Sequence, residues 1–464
     1  MENNNAASTS TLASVHLLVL VHGMWGNTGH LAEMARIVKE ERPELHVLLP
    51  KANEEESTYD GIDWGGERVA QEIIDEISHL RSEGKAVRHF SMTGYSLGGL
   101  VSRYVVGILS QRGFFSPDSP EYMIPVNFNT IATPHLGLIK YNSLFSTLTH
   151  KLGPKLLSRT GEQFYCVDKW GKTNRPLIDV MSDPNLVFFQ ALSKFKYIKV
   201  YANAIRDLTV PYVTAAIETE DPFAEYETNG IEIEFQPDHY PVVASWSFPP
   251  STVSKSRTKL LSVSWFQDRK SKSTPSLSTS EPASSSSSDN QKPVFHKTPR
   301  VPPMLSYPFP MNLVVYACIP FLLPTVISLA IVRFIRSSRA SRARVSLLEQ
   351  DHSDAQSGQQ SLAQVLADLE KQVEDTVVDI MIDNPSAPAI PKVKASQHPI
   401  LSPLQKTICA RLNSIPQLKK ERAFITGVTN THSGIISRHP IWDKHGYGLN
   451  VLRHWAGSLV VGEA

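Results

Sequence analysis

The chain has 464 residues, 41% of them apolar and 20% charged, with 24 Gly and 32 Pro, which is material for a sizeable core plus long Pro-containing connections. Lys and Arg number 46 against 45 Asp and Glu, so no global field would gather nucleic acid, which is not an expected partner. Cys166, Cys318 and Cys409 are odd in number and far apart, which argues against a secreted disulfide framework and a zinc site and points to a reducing, intracellular setting.

The first apolar run, residues 15–21, has no positive charge before it and no small-residue cleavage site after it, so it reads as a strand rather than a signal sequence. His22-Gly23-Met24-Trp25-Gly26 follows. A loop of small residues after the first strand lets backbone N–H groups approach a substrate, and Met24 is the expected donor, with His22 organising the loop. Further strands are predicted at 45–49, 87–92, 126–132 and 197–202, apolar almost throughout, as strands covered on both faces are. Helical stripes lie between them, one carrying Leu31, Met34, Ala35 and Val38, another Val69, Ile73, Ile77 and Leu80. This alternation predicts an α/β fold with a mostly parallel sheet and helices on both faces.

At the end of the third strand stands Gly94-Tyr95-Ser96-Leu97-Gly98, a Gly-x-Ser-x-Gly motif at a strand-to-helix junction. There Gly94 and Gly98 free space around a strained turn that projects the Ser96 hydroxyl, and Leu97 offers a second oxyanion N–H at a helix amino end. The bland alternative is a Gly-rich turn with a structural serine. Residues 136–157 place Leu144, Leu148 and Leu152 four apart, an apolar flap or an ordinary cap helix ending near Gly153-Pro154. In hydrolases built on this motif the acid follows the serine and the histidine follows the acid. Asp207, just past the strand at 197–202, is the favoured acid, with Asp168, Asp183 and Asp238 as rivals.

From about residue 249 the composition turns to Ser, Pro and Lys, too poor in apolar area to offset chain entropy. Residues 313–332 are apolar, roughly the 20 residues that cross a bilayer, and are closed by Arg333, Arg336, Arg339, Arg342 and Arg344. A stripe from Leu362 to Val377 suggests an accessory helix before another Pro-rich break. A late helix with Leu404, Ile408 and Leu412, a strand at 424–428 and a helix from Leu449 close the chain. His432 lies beyond that strand and is favoured as base over His439, His445 and His454. Nucleophile and base thus flank the apolar run, and a single crossing would separate them. Pro320 and Pro324 suggest a re-entrant hairpin instead, with the arginines among anionic headgroups on the cytoplasmic face.

The ordered set Val21-His22-Gly23 with Trp25-Gly26, Thr58-Tyr59-Asp60-Gly61-Ile62 before Gly66-Glu67-Arg68, Gly94 to Leu100, Ala132-Thr133-Pro134-His135-Leu136-Gly137, Tyr201-Ala202-Asn203-Ala204, Val210-Pro211-Tyr212, Asp221-Pro222-Phe223 and Thr431-His432 resembles the serine esterases with lipase-like motifs, most closely the fungal lipid-droplet phospholipases. The resemblance implies an α/β-hydrolase fold, a Ser96, Asp207, His432 triad and activity on glycerolipid acyl esters at a lipid droplet or endoplasmic reticulum surface. Leu208 departs from it, standing where relatives would carry Arg. The expected organisation is a hydrolase core at 1–248, a disordered linker at 249–305, a membrane hairpin at 306–345, an accessory helix and linker at 346–400, and the rest of the core at 401–464. Lipid is the expected substrate, residues 313–332 the membrane contact, and neither metal nor organic cofactor is needed. Acyl transfer by the same triad, or a non-catalytic membrane scaffold, are the alternatives.

Overall fold

The computed structural model describes residues 12–170, 174–249, 311–354, 396–439 and 446–462. In chain order the elements are β1 (Ala13–Val21), α1 (Ala32–Glu41), β2 (Leu45–Leu48), α2 (Ile62–Ser82), β3 (Lys85–Tyr95), α3 (Leu97–Gln111), β4 (Ile124–Ile131), β5 (Lys140–Asn142), α4 (Leu144–Leu156), α5 (Ser158–Phe164), α6 (Leu177–Val180), α7 (Val187–Ser193), β6 (Tyr197–Asn203) and α8 (Tyr212–Ala215). They continue with β7 (Glu232–Phe235), β8 (Val243–Ser247), α9 (Met311–Asp354), β9 (Ser396–Ile400), α10 (Pro403–Asn413), β10 (Leu418–Ala423) and α11 (Gly446–Gly457).

Six strands form one sheet in the order β10-β6-β4-β3-β1-β2, and every pairing in it is parallel. The two-residue period of β1 explains the layering: Leu17, Val19 and Val21 join the core under α2 and α3, whereas Leu18 and Leu20 join the core under α1 and α11. Burial of both faces is why these strands read as continuous apolar runs.

Three expectations need correction. The late strand lies at Leu418–Ala423, not at 424–428. It is the sheet's outer strand, covered on one edge only, and it carries Lys419, Lys420, Glu421 and Arg422, of which Lys419 is exposed and the others part-buried, a charged run that hides it from an apolar search. The insert helix α4 continues through Pro154 to Leu156, and the chain turns at Ser158, whose φ is 54°. The apolar run is not a hairpin: α9 passes Pro320 and Pro324 without a break. A proline deletes one helical hydrogen bond and bends the axis, but in a 44-residue helix the neighbouring bonds carry on across it.

α9 has two unlike halves. From Phe321 to Leu329 its side chains are exposed, Phe321 at 77%. From Ala330 onward a stripe of Ala330, Phe334, Ser337, Ser338, Ser341, Val345 and Leu348 turns to the body, the three- and four-residue spacing of one helix face. The small serines admit close approach: Ser338 donates to the Lys155 carbonyl at 3.1 Å, and Ser158 and Ser341 bond at 3.1 Å. The arginines therefore divide. Arg336, Arg339 and Arg342 are exposed, whereas Arg344 pairs with Asp60 at 2.9 Å and Arg333 lies 3.8 Å from Glu56. The expected linker beyond residue 249 and the stripe at 362–377 lie outside the described residues.

Candidate active site

Parallel strands bring their carboxyl ends to one edge, and the chain's polar loops collect there. β3 ends at Tyr95, and Ser96 begins the turn into α3 with φ 54° and ψ −124°, a left-handed backbone costly for any side chain but glycine. The turn exists because its neighbours are glycine: a Cβ on Gly94 would lie 2.4 Å from the Gly98 carbonyl oxygen, and one on Gly98 would lie 2.2 Å from that of Val21. Ser96 N–H donates to the Ile131 carbonyl at 2.8 Å, fixing the elbow to β4.

Asp207 follows β6, and its carboxylate accepts from the N–H of Thr209 (3.0 Å) and Val210 (2.7 Å) and from Asn203 Nδ2 (2.9 Å). Its remaining contact is with His432, whose Nδ1 lies 2.9 Å from Asp207 Oδ2 and whose Nε2 lies 3.0 Å from Ser96 Oγ. A carboxylate only accepts, so the ring proton sits on Nδ1 and Nε2 is free to accept the Ser96 hydroxyl proton. The His432 and Asp207 side chains are 5% and 1% exposed. In that shielded setting the hydrogen bonds are stronger than in water.

The rivals lie elsewhere. Asp168 accepts from the Leu177 N–H, Asp183 pairs with Arg175, and Asp238 is exposed. His454 meets the Tyr201 hydroxyl from α11, while His445 is outside the described residues. His22 is buried, with Nδ1 3.0 Å from the Gly23 carbonyl oxygen, as a loop organiser would be. Met24 is part-buried in that loop beside the elbow, and Leu97 is the first residue of α3, where a helix N–H has no acceptor of its own. Leu208 is 69% exposed and its side chain takes no part.

Sequence reasoning missed the side chains that hold the three together. Tyr95 donates from its hydroxyl to the His432 carbonyl at 3.1 Å, and its ring lies 5.2 Å from the imidazole. Asn203 joins the Asp207 carboxylate to the Thr431 carbonyl (3.2 Å), and Asn430 Oδ1 accepts from the N–H of both Leu208 and His432. The available signal was position: Tyr95 is inside the Gly-x-Ser-x-Gly motif, and Asn203 and Asn430 stand just before the acid and the base.

Residues 12–219 match the family described as "Putative serine esterase (DUF676)". His432 lies beyond the matched stretch. The chain is similar to "Putative lipase C4A8.10" of Schizosaccharomyces pombe, 30% identical over 236 residues that make up 48% of this chain and 28% of that protein. It is also similar to "Putative lipase ROG1" of Saccharomyces cerevisiae, 29% identical over 209 residues, 44% of this chain and 28% of that one. The shared region thus spans under a third of either relative. Among solved structures, a gene product of Listeria innocua aligns with 41% of this chain and 70% of its own at 13% identity, with a TM-score of 0.25.

Proposed function

We propose that the protein is a serine-dependent carboxylic ester hydrolase of the α/β-hydrolase type acting on glycerolipids, a lipase or phospholipase at the cytoplasmic face of a lipid droplet or the endoplasmic reticulum. The observation that carries the reading is the hydrogen-bonded run from Asp207 through His432 to Ser96 at the carboxyl edge of the sheet. In the reaction, Ser96 Oγ attacks the ester carbonyl as its proton passes to His432 Nε2. The imidazolium formed is stabilised by Asp207 and returns the proton to the leaving alcohol, and water then repeats the sequence on the acyl-enzyme. The N–H groups of Met24 and Leu97 hold the oxyanion, each lowering the barrier by on the order of 3 kcal/mol.

The lipid part of the reading is supported by similarity to lipases and by α9, which among the described residues is the one helix long and apolar enough to cross a membrane. A full crossing is disfavoured. β8 and the second half of α9 both belong to the body, so a crossing would need a return within 250–310, where no run of 18 apolar residues exists. The exposed half of α9, from Phe321 to Leu329, is therefore read as burying its apolar side chains in one leaflet while the docked half stays with the body.

The test is release of fatty acid from phospholipid and triacylglycerol emulsions by wild type, Ser96→Ala and His432→Ala. Both variants should fall by at least about 10⁴-fold, and the preferred lipid names the activity. Full activity in Ser96→Ala would sink the reading, and transfer of the acyl group to an added alcohol in place of release would make the protein an acyltransferase.

A further inference from the structure

The loop that carries Met24 is not self-supporting. Trp25 has φ 52°, and Glu55, which faces it, has φ 49°. Two non-glycine residues in left-handed conformations persist only where surrounding contacts hold them. Three hydrogen bonds tie the loop to the 3-10 turn Glu55–Tyr59 and the residue before it: Glu55 N–H to the Gly26 carbonyl (2.8 Å), Trp25 N–H to Thr58 Oγ1 (3.1 Å) and Thr28 N–H to Glu54 Oε1 (2.9 Å).

That turn is in turn gripped by α9. Arg344 Nη2 donates to the Glu56 carbonyl at 2.8 Å and to Asp60 Oδ1 at 2.9 Å, and its Nε donates to Asp60 Oδ2 at 3.2 Å. Asp60 is fully buried and also accepts from Arg68 Nη1 at 3.0 Å, while Arg68 Nη2 donates to the Ser57 carbonyl at 3.0 Å. On the loop itself, the Phe334 ring stacks on Trp25 with centroids 5.9 Å apart and planes 27° apart. α9 lies outside the stretch that matches the esterase family, so this grip is an addition to the matched region.

We propose that the docked half of α9 is a positioning element of the oxyanion loop, with Arg344 acting through Asp60 and the 3-10 turn and Phe334 acting through Trp25. This rests on the ester hydrolase reading above. The helix that carries the exposed apolar arm thereby also sets where the Met24 N–H points. Membrane attachment and transition-state stabilisation are served by one rigid rod.

The experiment uses full-length protein and a soluble short-chain p-nitrophenyl ester, so that no lipid interface enters the kinetics. Arg344→Gln and Phe334→Ala should each lower kcat by ~10–100-fold with KM little changed, and should weaken inhibition by a trifluoromethyl ketone, which forms an oxyanion, in parallel with kcat/KM. Arg344→Lys should restore part of the loss. A control, Phe321→Ser with Leu322→Ser on the arm, should abolish flotation with phosphatidylcholine vesicles yet keep wild-type kcat on the soluble ester. If Phe334→Ala, or Arg344→Gln with an unchanged melting temperature, keeps wild-type kcat and inhibitor affinity, α9 is only a tether and the proposal is overturned. Failure of the ester hydrolase reading is distinguishable, because Ser96→Ala would then match wild type on the same ester.

Discussion

Asn203 shows how much of a hydrogen-bonded site is carried by side chains with no chemical step of their own. Its amide spans the Asp207 carboxylate and the Thr431 carbonyl, locking the acid's loop to the base's loop. Asn203→Ala leaves Asp207 its backbone donors but loosens that bridge, so kcat should drop by about 10–100-fold with little change in KM, as steady-state kinetics would register. Asp168 tells the opposite story. Burial raises its carboxyl to about 6, against the pull of the Leu177 N–H on Oδ2. The folded state therefore holds this proton more tightly than the unfolded chain does, so the contribution of Asp168 to stability is most favourable below about pH 4 and falls as pH rises to about 6. Asp168→Asn should remove that slope and raise stability at pH 7 by at most about 3 kcal/mol, with melting curves converging with wild type at pH 3.5. If the two proteins differ equally at both pH values, folding does not raise the Asp168 carboxyl.

Among the elements, α11 packs Trp455, Val451 and Leu452 on the same core as Met34, Ile37 and Val38 of α1. Trp455→Ala should cost about 3–5 kcal/mol, read as a lower melting temperature, because it empties the place of the largest fully buried side chain in this core. The inner strands were legible for the reason that this core exists: each must be apolar on both faces. β10 was not, since an outer strand tolerates charge on its free side, and the short pairing of β5 with β9 is too brief to leave a pattern. The Ser96 elbow was legible because only Gly-x-Ser-x-Gly fits so tight a turn. The hairpin reading of residues 313–332 failed because proline spacing alone does not distinguish a bent helix from two arms. What decides it is the docking stripe from Ala330 to Leu348, a contact invisible without knowing that Glu56 and Asp60 lie opposite.

For the whole molecule, the sheet is built from two stretches far apart in sequence, β1 to β6 and then β10. β10 pairs with β6 along its full length, and α10 and α11 seal the two faces. That interface should hold without a covalent link. A protease site inserted between residues 360 and 390 and cut in the folded protein should leave both pieces co-eluting on gel filtration with ester hydrolysis near the uncut level. Separation into inactive pieces would mean that the joining segment is needed for the fold.

The order of these stretches also sets a schedule. A ribosome makes Ser96 and Asp207 first, then the apolar arm of α9, and only afterwards β10 and His432. At common translation speeds the interval from Leu329 to His432 is roughly 5–20 s. If the protein is the ester hydrolase proposed above, the nascent chain during that interval has the exposed apolar arm of α9 but lacks His432, so it could meet a lipid surface before it could hydrolyse an ester there. On that proposal, the position of one histidine would make the growing chain its own temporary zymogen.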